Sequence, residues 1–209
     1  MYFLEKETIA ETMNEKTNSI YGTNLPEMTA VMNRLLDCVN EGSQAIKEKT
    51  GMNPVEHVKS RIKSEESMRE KCRRQELPET EESALQTIHD AIGLRVVCSF
   101  LDDVYAIRDY LASRKDLEII SEKDYIRHVK PNGYRSLHLI VKTGGYYAEF
   151  QLRTISMDTW AALEHHIRYK KNIGGNTALI FEELKRCADE LASTDVSMQT
   201  IRSMINGEE

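Results

Sequence analysis

Apolar positions along the chain recur first with the period of a helix and then with the period of a strand. In "MTAVMNRLLDCV", Met28, Val31, Met32, Leu35, Leu36 and Val39 fall three and four apart, so an amphipathic helix is predicted over residues 26–49. Residues 3–17 share that helical composition, and Pro54 suits the first turn of a following helix. "KSRIKSEESMREKCRR" reads as extended at "SRIKS" and helical from Ser64, before a polar loop "QELPETEESA" and a short helix around Leu85 to Ile88. From residue 90 strands and helices alternate: strand "GLRVVCSF", helix "LDDVYAIRDYLASR", then strands "LEIISEKDY", "YRSLHLIVK" and "YYAEFQLRT". Gly144-Gly145 joins the last two as a hairpin, and Thr154 or Ser156 caps a helix over "MDTWAALEHHIRYKK". Gly174-Gly175 then separates a C-terminal helix, "ALIFEELKRCADELA". The order predicts a mixed α/β fold in which a core over residues 54–173 is flanked by helical extensions at 1–53 and 174–209.

Alternation in two of the strands sorts unusual side chains onto one face. Tyr134, Ser136, His138 and Ile140 share one side of a strand begun at Tyr134, and Glu149, Gln151 and Arg153 share one side of the next. A solvated sheet face is the ordinary explanation of such alternation. Here, however, the residues supply an aromatic surface, donors, acceptors and a carboxylate, the parts of a nucleotide pocket, with Ser136 given no role. "HDAIGLR" adds Asp90 at the entrance of the first strand, Gly93 where a close approach is allowed, and Arg95 along the strand. Asp90 and Glu149 could share one divalent cation, and two carboxylates with few other protein ligands suit Mg²⁺.

Charge and composition narrow the choice. The 209 residues are 40% hydrophobic and 30% charged, with no window apolar enough to span a bilayer. The start, "MYFLEKETIAETMNEK", is too acidic for a signal peptide, which points to a cytoplasmic protein. Cys38, Cys72, Cys98 and Cys187 are widely spaced and read as reduced thiols rather than a zinc site. The net charge of −6 disfavours broad nucleic-acid binding, yet residues 59–74 hold seven Lys or Arg against three Glu. Arg61 and Lys63 on the extended part, with Ser67, Lys71 and Arg74 on one helical face, could clamp a triphosphate; a solvated helix face would carry the same pattern.

"SRIKSEES" with Lys71, "HDAIGLRVVCSF", "EKDYIRHVKPNGYRSLHLIV", "AEFQLRT" and "DTWAALEHHIRYKK" together resemble the synthetase domain of RelA/SpoT-type enzymes, in the manner of their single-domain small alarmone synthetases. The resemblance runs from about Pro54 to Lys171. It implies a nucleotidyltransferase-like mixed sheet covered by helices, and transfer of the β,γ-pyrophosphate of ATP to the 3′-hydroxyl of GDP or GTP. It further implies that Arg61, Lys63, Ser67, Lys71, Arg74 and Arg95 bind ATP, that Asp90 and Glu149 hold Mg²⁺, and that Glu149 is the base. Tyr134 would stack on guanine, Lys130 would face the acceptor's phosphates, and His138, Gln151 and Glu164 would line the acceptor site, although Arg168 at i+4 also offers Glu164 a partner. Ala91 after the aspartate and the short "KTGGYY" loop depart from the common pattern without removing a catalytic residue. Relatives assemble as homotetramers, and single-stranded RNA or alarmone is an allowed regulator.

Three other readings compete. His89-Asp90 could belong to a metal phosphohydrolase, but that class needs further histidines, and His57 is the only earlier one. The acceptor could be tRNA or an adenine nucleotide, as in toxic relatives. The basic surface could serve an RNA-binding module, which the acidic net charge disfavours.

Overall fold

A computed structural model describes residues 19–169 and 176–207, without the side chains of residues 168 and 169; the helix expected at 3–17 and the Gly174-Gly175 break lie outside them. The elements are α1 (Leu25–Thr50), β1 (Val55–Ile62), α2 (Glu65–Arg74), β2 (Ile92–Cys98), α3 (Leu101–Ser113), β3 (Glu118–Asp124), β4 (Leu137–Thr143), β5 (Tyr146–Thr154), α4 (Ile155–Tyr169) and α5 (Thr177–Asn206). The short helix expected near Leu85 is a single π-helical turn, Ser83–Thr87.

Five strands form one sheet in the order β1-β2-β5-β4-β3. β2 and β5 run parallel at its centre, and the other pairs are antiparallel. Parallel neighbours cannot be joined by a tight turn, so the chain crosses over through α3, β3 and β4 before β5 inserts beside β2. One face of the sheet is apolar: Leu94 and Val96 of β2, Leu139 and Val141 of β4, and Ala148 and Phe150 of β5 are almost fully buried. The stripe of α1 foreseen from spacing supplies Met28, Val31, Leu35 and Val39 to the same core, and α3 adds Val104, Ile107 and Leu111. Each of these side chains other than Ala148 contributes about 1.5–3 kcal/mol by leaving water. With that face sealed by helices, the other is available for chemistry.

Three local expectations change. Pro54 precedes a strand rather than opening a helix: its carbonyl accepts from Ser99 N at 3.0 Å, and a residue without N–H is tolerated at a strand entry. The strand expected from Tyr134 begins at Leu137. Before it, Gly133 at φ 90° closes a turn by donating to Lys130 O at 2.8 Å, and Tyr134 N donates to Asn132 Oδ1 at 3.2 Å. Those bonds hold Tyr134 in the turn and out of the ladder. The C-terminal helix is longer than its apolar stretch and continues to Asn206. Thr154, not Ser156, caps α4, accepting from Met157 N at 3.2 Å.

Helix α5 is tied down along its length. Arg135 Nη2 donates to Asp189 Oδ1 at 2.8 Å, Thr154 Oγ1 donates to Asp195 Oδ2 at 2.6 Å, and Trp160 Nε1 donates to Leu184 O at 2.8 Å. Near its end Arg202 Nη1 donates to Asp103 Oδ1 at 2.8 Å, both side chains being buried. Asp103 also accepts from Phe100 N at 3.2 Å and so caps α3. Removing one partner of a buried pair strands the other, so Arg202→Met is expected to cost about 3–5 kcal/mol. A thermal melt checks this against Arg186→Ala, whose exposed ion pairs should leave the transition unmoved.

Candidate active site

The open face of the sheet carries its polar residues in register. One row reads Arg61 on β1, Gly93 on β2, Glu149 on β5 and Ile140 on β4. The next reads Lys59, Arg95, Gln151, His138 and Lys123, one residue from each of the five strands. Because neighbouring strands lie about 4.8 Å apart, adjacent members of a row are within side-chain reach. The sheet therefore assembles a cationic side at β1 and β2, a carboxylate in the middle, and a mixed side at β4 and β3.

Two hollows flank that carboxylate. The first, of about 170 Å³, is walled by Lys59, Arg61, Arg95, Asp90, Gly93 and Glu149, among others. The second, of about 240 Å³, is walled by Ser121, Lys123, Tyr125, Lys130, His138, Ile140 and Glu149. Glu149 belongs to both. Gly93 leaves the first hollow open: a Cβ there would meet nothing nearer than Arg61 Cγ at 3.9 Å, so the protein itself does not require a glycine.

Asp90 stands in the turn before β2. Lys63 Nζ and Lys71 Nζ each donate to its Oδ2 at 2.6 Å, while its buried Oδ1 has no partner among the described residues. Burial pushes the Asp90 carboxyl up, but the two ammonium groups outweigh it and hold the group below its ordinary range. Burial likewise works against Glu149, and the bonds from His138 and Gln151 prevail, holding it low as well. Both are therefore ionised at neutral pH. Among the described residues no cluster of three or more His, Cys, Asp or Glu could hold a metal ion. Two carboxylates, one with an unpartnered buried oxygen, still fit a cation that takes most of its ligands from water and phosphate.

Glu149 is also the meeting point of a closed ring of hydrogen bonds. Arg153 Nη2 donates to Tyr134 Oη at 2.7 Å and to Gln151 Oε1 at 3.0 Å. Tyr134 Oη lies 2.8 Å from His138 Nε2, and His138 Nδ1 lies 3.1 Å from Glu149 Oε1. Gln151 Nε2 donates to Glu149 Oε2 at 2.9 Å, completing the circuit. Beneath it Asp158, in the first turn of α4, accepts from Arg153 Nη1 at 3.2 Å and lies 3.3 Å from Arg95 Nη1.

The residues singled out from sequence are mostly brought together. Arg61, Arg95, Asp90, Glu149 and Gln151 line the first hollow, with Lys63 and Lys71 behind Asp90. Lys130 and His138 line the second, and Lys130 Nζ stands 4.2 Å from the Tyr125 ring and 5.0 Å from the Tyr134 ring. Tyr134 itself is half-buried, its hydroxyl committed to the ring of bonds. Ser67 and Arg74 are exposed on α2, where Ser67 N donates to the Ser64 cap. Glu164 is half-exposed on α4, one turn past Trp160, and the side chain of Arg168 is outside the described set. Ser136 is fully buried and donates to Leu152 O at 3.2 Å, so it supports the strand instead of lining a hollow. His89 stacks on Tyr147 at 3.9 Å between centroids and bonds Gln86 O, an arrangement unlike a hydrolase metal ligand. Lys59, Lys123, Tyr125 and Asp158 were not foreseen. Strand period would have flagged the two lysines, but no local signal marks Asp158.

Residues 60–174 match the family described as "Region found in RelA / SpoT proteins", more than half of the chain. This chain belongs to the RelA/SpoT family. Within it, the chain is 42% identical over 164 residues to GTP pyrophosphokinase YwaC of Bacillus subtilis, spanning 75% of this chain and 78% of that one. Among solved structures, small alarmone synthetase 2 of B. subtilis superposes with a TM-score of 0.71 at 38% identity, covering 84% of this chain and 97% of the other. Small alarmone synthetase 1 of B. subtilis, bound to its product pppGpp, gives 0.72 at 32% identity, covering 87% and 95%. For this RelA/SpoT-family chain, Gly93→Val should fold normally yet fill the first hollow. A thermal melt should then show the transition unmoved, since a Cβ at Gly93 meets no atom nearer than 3.9 Å.

Proposed function

We propose that this chain is an alarmone synthetase, transferring the β,γ-pyrophosphate of ATP to the 3′-hydroxyl of GDP or GTP to give ppGpp or pppGpp. The observation that carries this reading is that one ionised carboxylate, Glu149, forms the wall shared by two hollows, each lined by cationic side chains. A transfer between two polyanionic substrates needs their alignment, compensation of charge and a group to take one proton.

The first hollow takes ATP. Arg61 and Arg95 hold the donor with Lys59 beside them, and Lys63 and Lys71 reach the transferring phosphates, Ser67 and Arg74 extending that set along the face of α2. The second takes the guanine nucleotide. Lys130, drawn to the acceptor's phosphates, leaves the ring of Tyr134 open to guanine, and His138, Gln151 and Glu164 complete the acceptor side. Glu149 receives the proton of the 3′-hydroxyl as the new oxygen–phosphorus bond forms at the β-phosphorus and the bond to the α-phosphate breaks, releasing AMP. Asp90 Oδ1 and Glu149 would hold Mg²⁺, which neutralises charge on the transferring phosphates when bound.

The same proposal places the protein in the cytoplasm and has it self-associate as a tetramer. No helix among the described residues is long and apolar enough to cross a membrane. Leu163, Leu179, Phe181, Val196, Ile201 and Met204 on α4 and α5 are exposed, which supports association, and analytical ultracentrifugation reads the assembly.

Purified protein with Mg²⁺ and γ-labelled ATP, offered GMP, GDP, GTP, ATP or tRNA in turn, should place label on a guanine nucleotide, and Glu149→Gln should abolish it. Label on tRNA or adenine nucleotide alone would move the chain to the toxic class, and label on none would refute synthesis. Tyr134→Ala should raise the acceptor KM by about 5- to 150-fold, the worth of one stacked base, while the KM for ATP changes little.

A further inference from the structure

One charged side chain of the ring lines neither hollow. Arg153 is 3% exposed, and its guanidinium is met by Ser136 Oγ at 3.4 Å, Asp158 Oδ1, Gln151 Oε1 and Tyr134 Oη. A guanidinium only donates and stays charged, so a buried one imposes acceptors on everything around it.

We propose that Arg153 is a positioning residue for the transfer reaction: through Tyr134 and Gln151 it sets the direction of the hydrogen-bond ring that ends on Glu149, and through Asp158 it ties the acceptor-side tyrosine to donor-side Arg95.

The direction follows from what each atom can do. Glu149 Oε2 already accepts from Gln151 Nε2 and its Oε1 faces His138 Nδ1 at 3.1 Å, an arrangement in which the ring nitrogen donates and the carboxylate accepts. The hydrogen available to His138 Nε2 is then that of Tyr134, whose oxygen lone pair already receives Arg153 Nη2. Every bond therefore points from the buried arginine to the carboxylate. Without Arg153 the phenol can turn its hydrogen elsewhere, His138 can exchange tautomers, and Glu149 loses its fixed orientation.

The link to the donor side is the shared carboxylate. Arg153 and Arg95 both address Asp158 Oδ1. Burial, followed by the charge of Arg153, pulls the Arg95 guanidinium down from its ordinary value, and Asp158 counters both. A phosphate bound at Arg95 relieves its demand on Asp158 and leaves that carboxylate to Arg153, so an occupied donor hollow firms the acceptor tyrosine.

The inference rests on the reading of Glu149 as the group that takes the hydroxyl proton, and one set of kinetics separates the two. Arg153→Lys, Tyr134→Phe and their double variant are compared for kcat and both KM values. Arg153→Lys is expected to lower kcat by about tenfold or more with a smaller change in the KM for ATP, an effect on the transition state rather than on uniform binding. If the arginine acts through the phenol, the double variant should be no worse than the poorer single one. Additive losses, or a kcat left unchanged by Arg153→Lys, would overturn the proposal. If Arg153→Lys does not fold, ¹⁵N NMR of His138 in the unaltered protein decides: a hydrogen on Nδ1 and none on Nε2 supports it, and a hydrogen on Nε2 overturns it. A Glu149→Gln enzyme that keeps its activity would instead sink the underlying reading, whereas an inactive one with additive losses would sink this inference alone.

Discussion

A guanidinium placed beneath a sheet face must be met on every side, and the burial of Arg153 governs much of what surrounds it. Leaving such a charge without its partner costs about 3–5 kcal/mol, which is comparable to the stability margin of a small domain. Its counter-ion comes from the first turn of α4, where Asp158 Oδ1 accepts from Arg153 Nη1 at 3.2 Å. There the helix N-terminus already favours a carboxylate, and Asp158 serves Arg95 as well. Ser136 is drawn beneath the strand for the same reason, its hydroxyl shared between Leu152 O and Arg153 Nε. Folding and site building are one problem at this point.

The rest of the site follows from a second constraint, the parallel insertion of β5 between β2 and β4. It brings Glu149 beside Gly93, and the missing side chain at Gly93 becomes the first hollow. Had β5 paired only with β4, as its hairpin alone allows, the carboxylate would face lysines but no arginines. The crossover, costly in loop closure, puts the linings of the two hollows on either side of one acid.

How much of this was readable in the chain differs from element to element. The helical stripe of α1 named Met28, Val31, Leu35 and Val39 among its buried residues, since a period of 3.6 depends on the local sequence alone, while Met32 and Leu36 are only partly buried and the buried Cys38 and Gly42 went unnamed. The alternation in β5 named Glu149, Gln151 and Arg153 as one face for the same reason, and the RelA/SpoT motifs supplied their expected roles. Row order was beyond reach, because which strand lies beside which is a property of the whole fold. Lys59 and Lys123 acquire meaning only when both edge strands align with His138 and Arg95. Tyr134 was expected in a strand, but the glycine and asparagine before it spend its backbone bonds on the turn. Asp158 looked like any acidic residue opening a helix, and only the depth of Arg153 gives it its weight.

Helix α5 adds a mechanical dimension. It contributes no side chain to either hollow, yet Arg135 spans from Gly133 O to Ala188 O and Asp189, and a Cβ at Gly133 would meet the Ala188 methyl at 2.7 Å. The corner that presents Tyr134 is thus clamped by the last helix, while the hollow at Arg61 and Arg95 is built without it. A protease nicking the chain within α5 would leave the hollow at Arg61 and Arg95 standing and slacken the corner that holds Tyr134, so that the two hollows would fail one at a time.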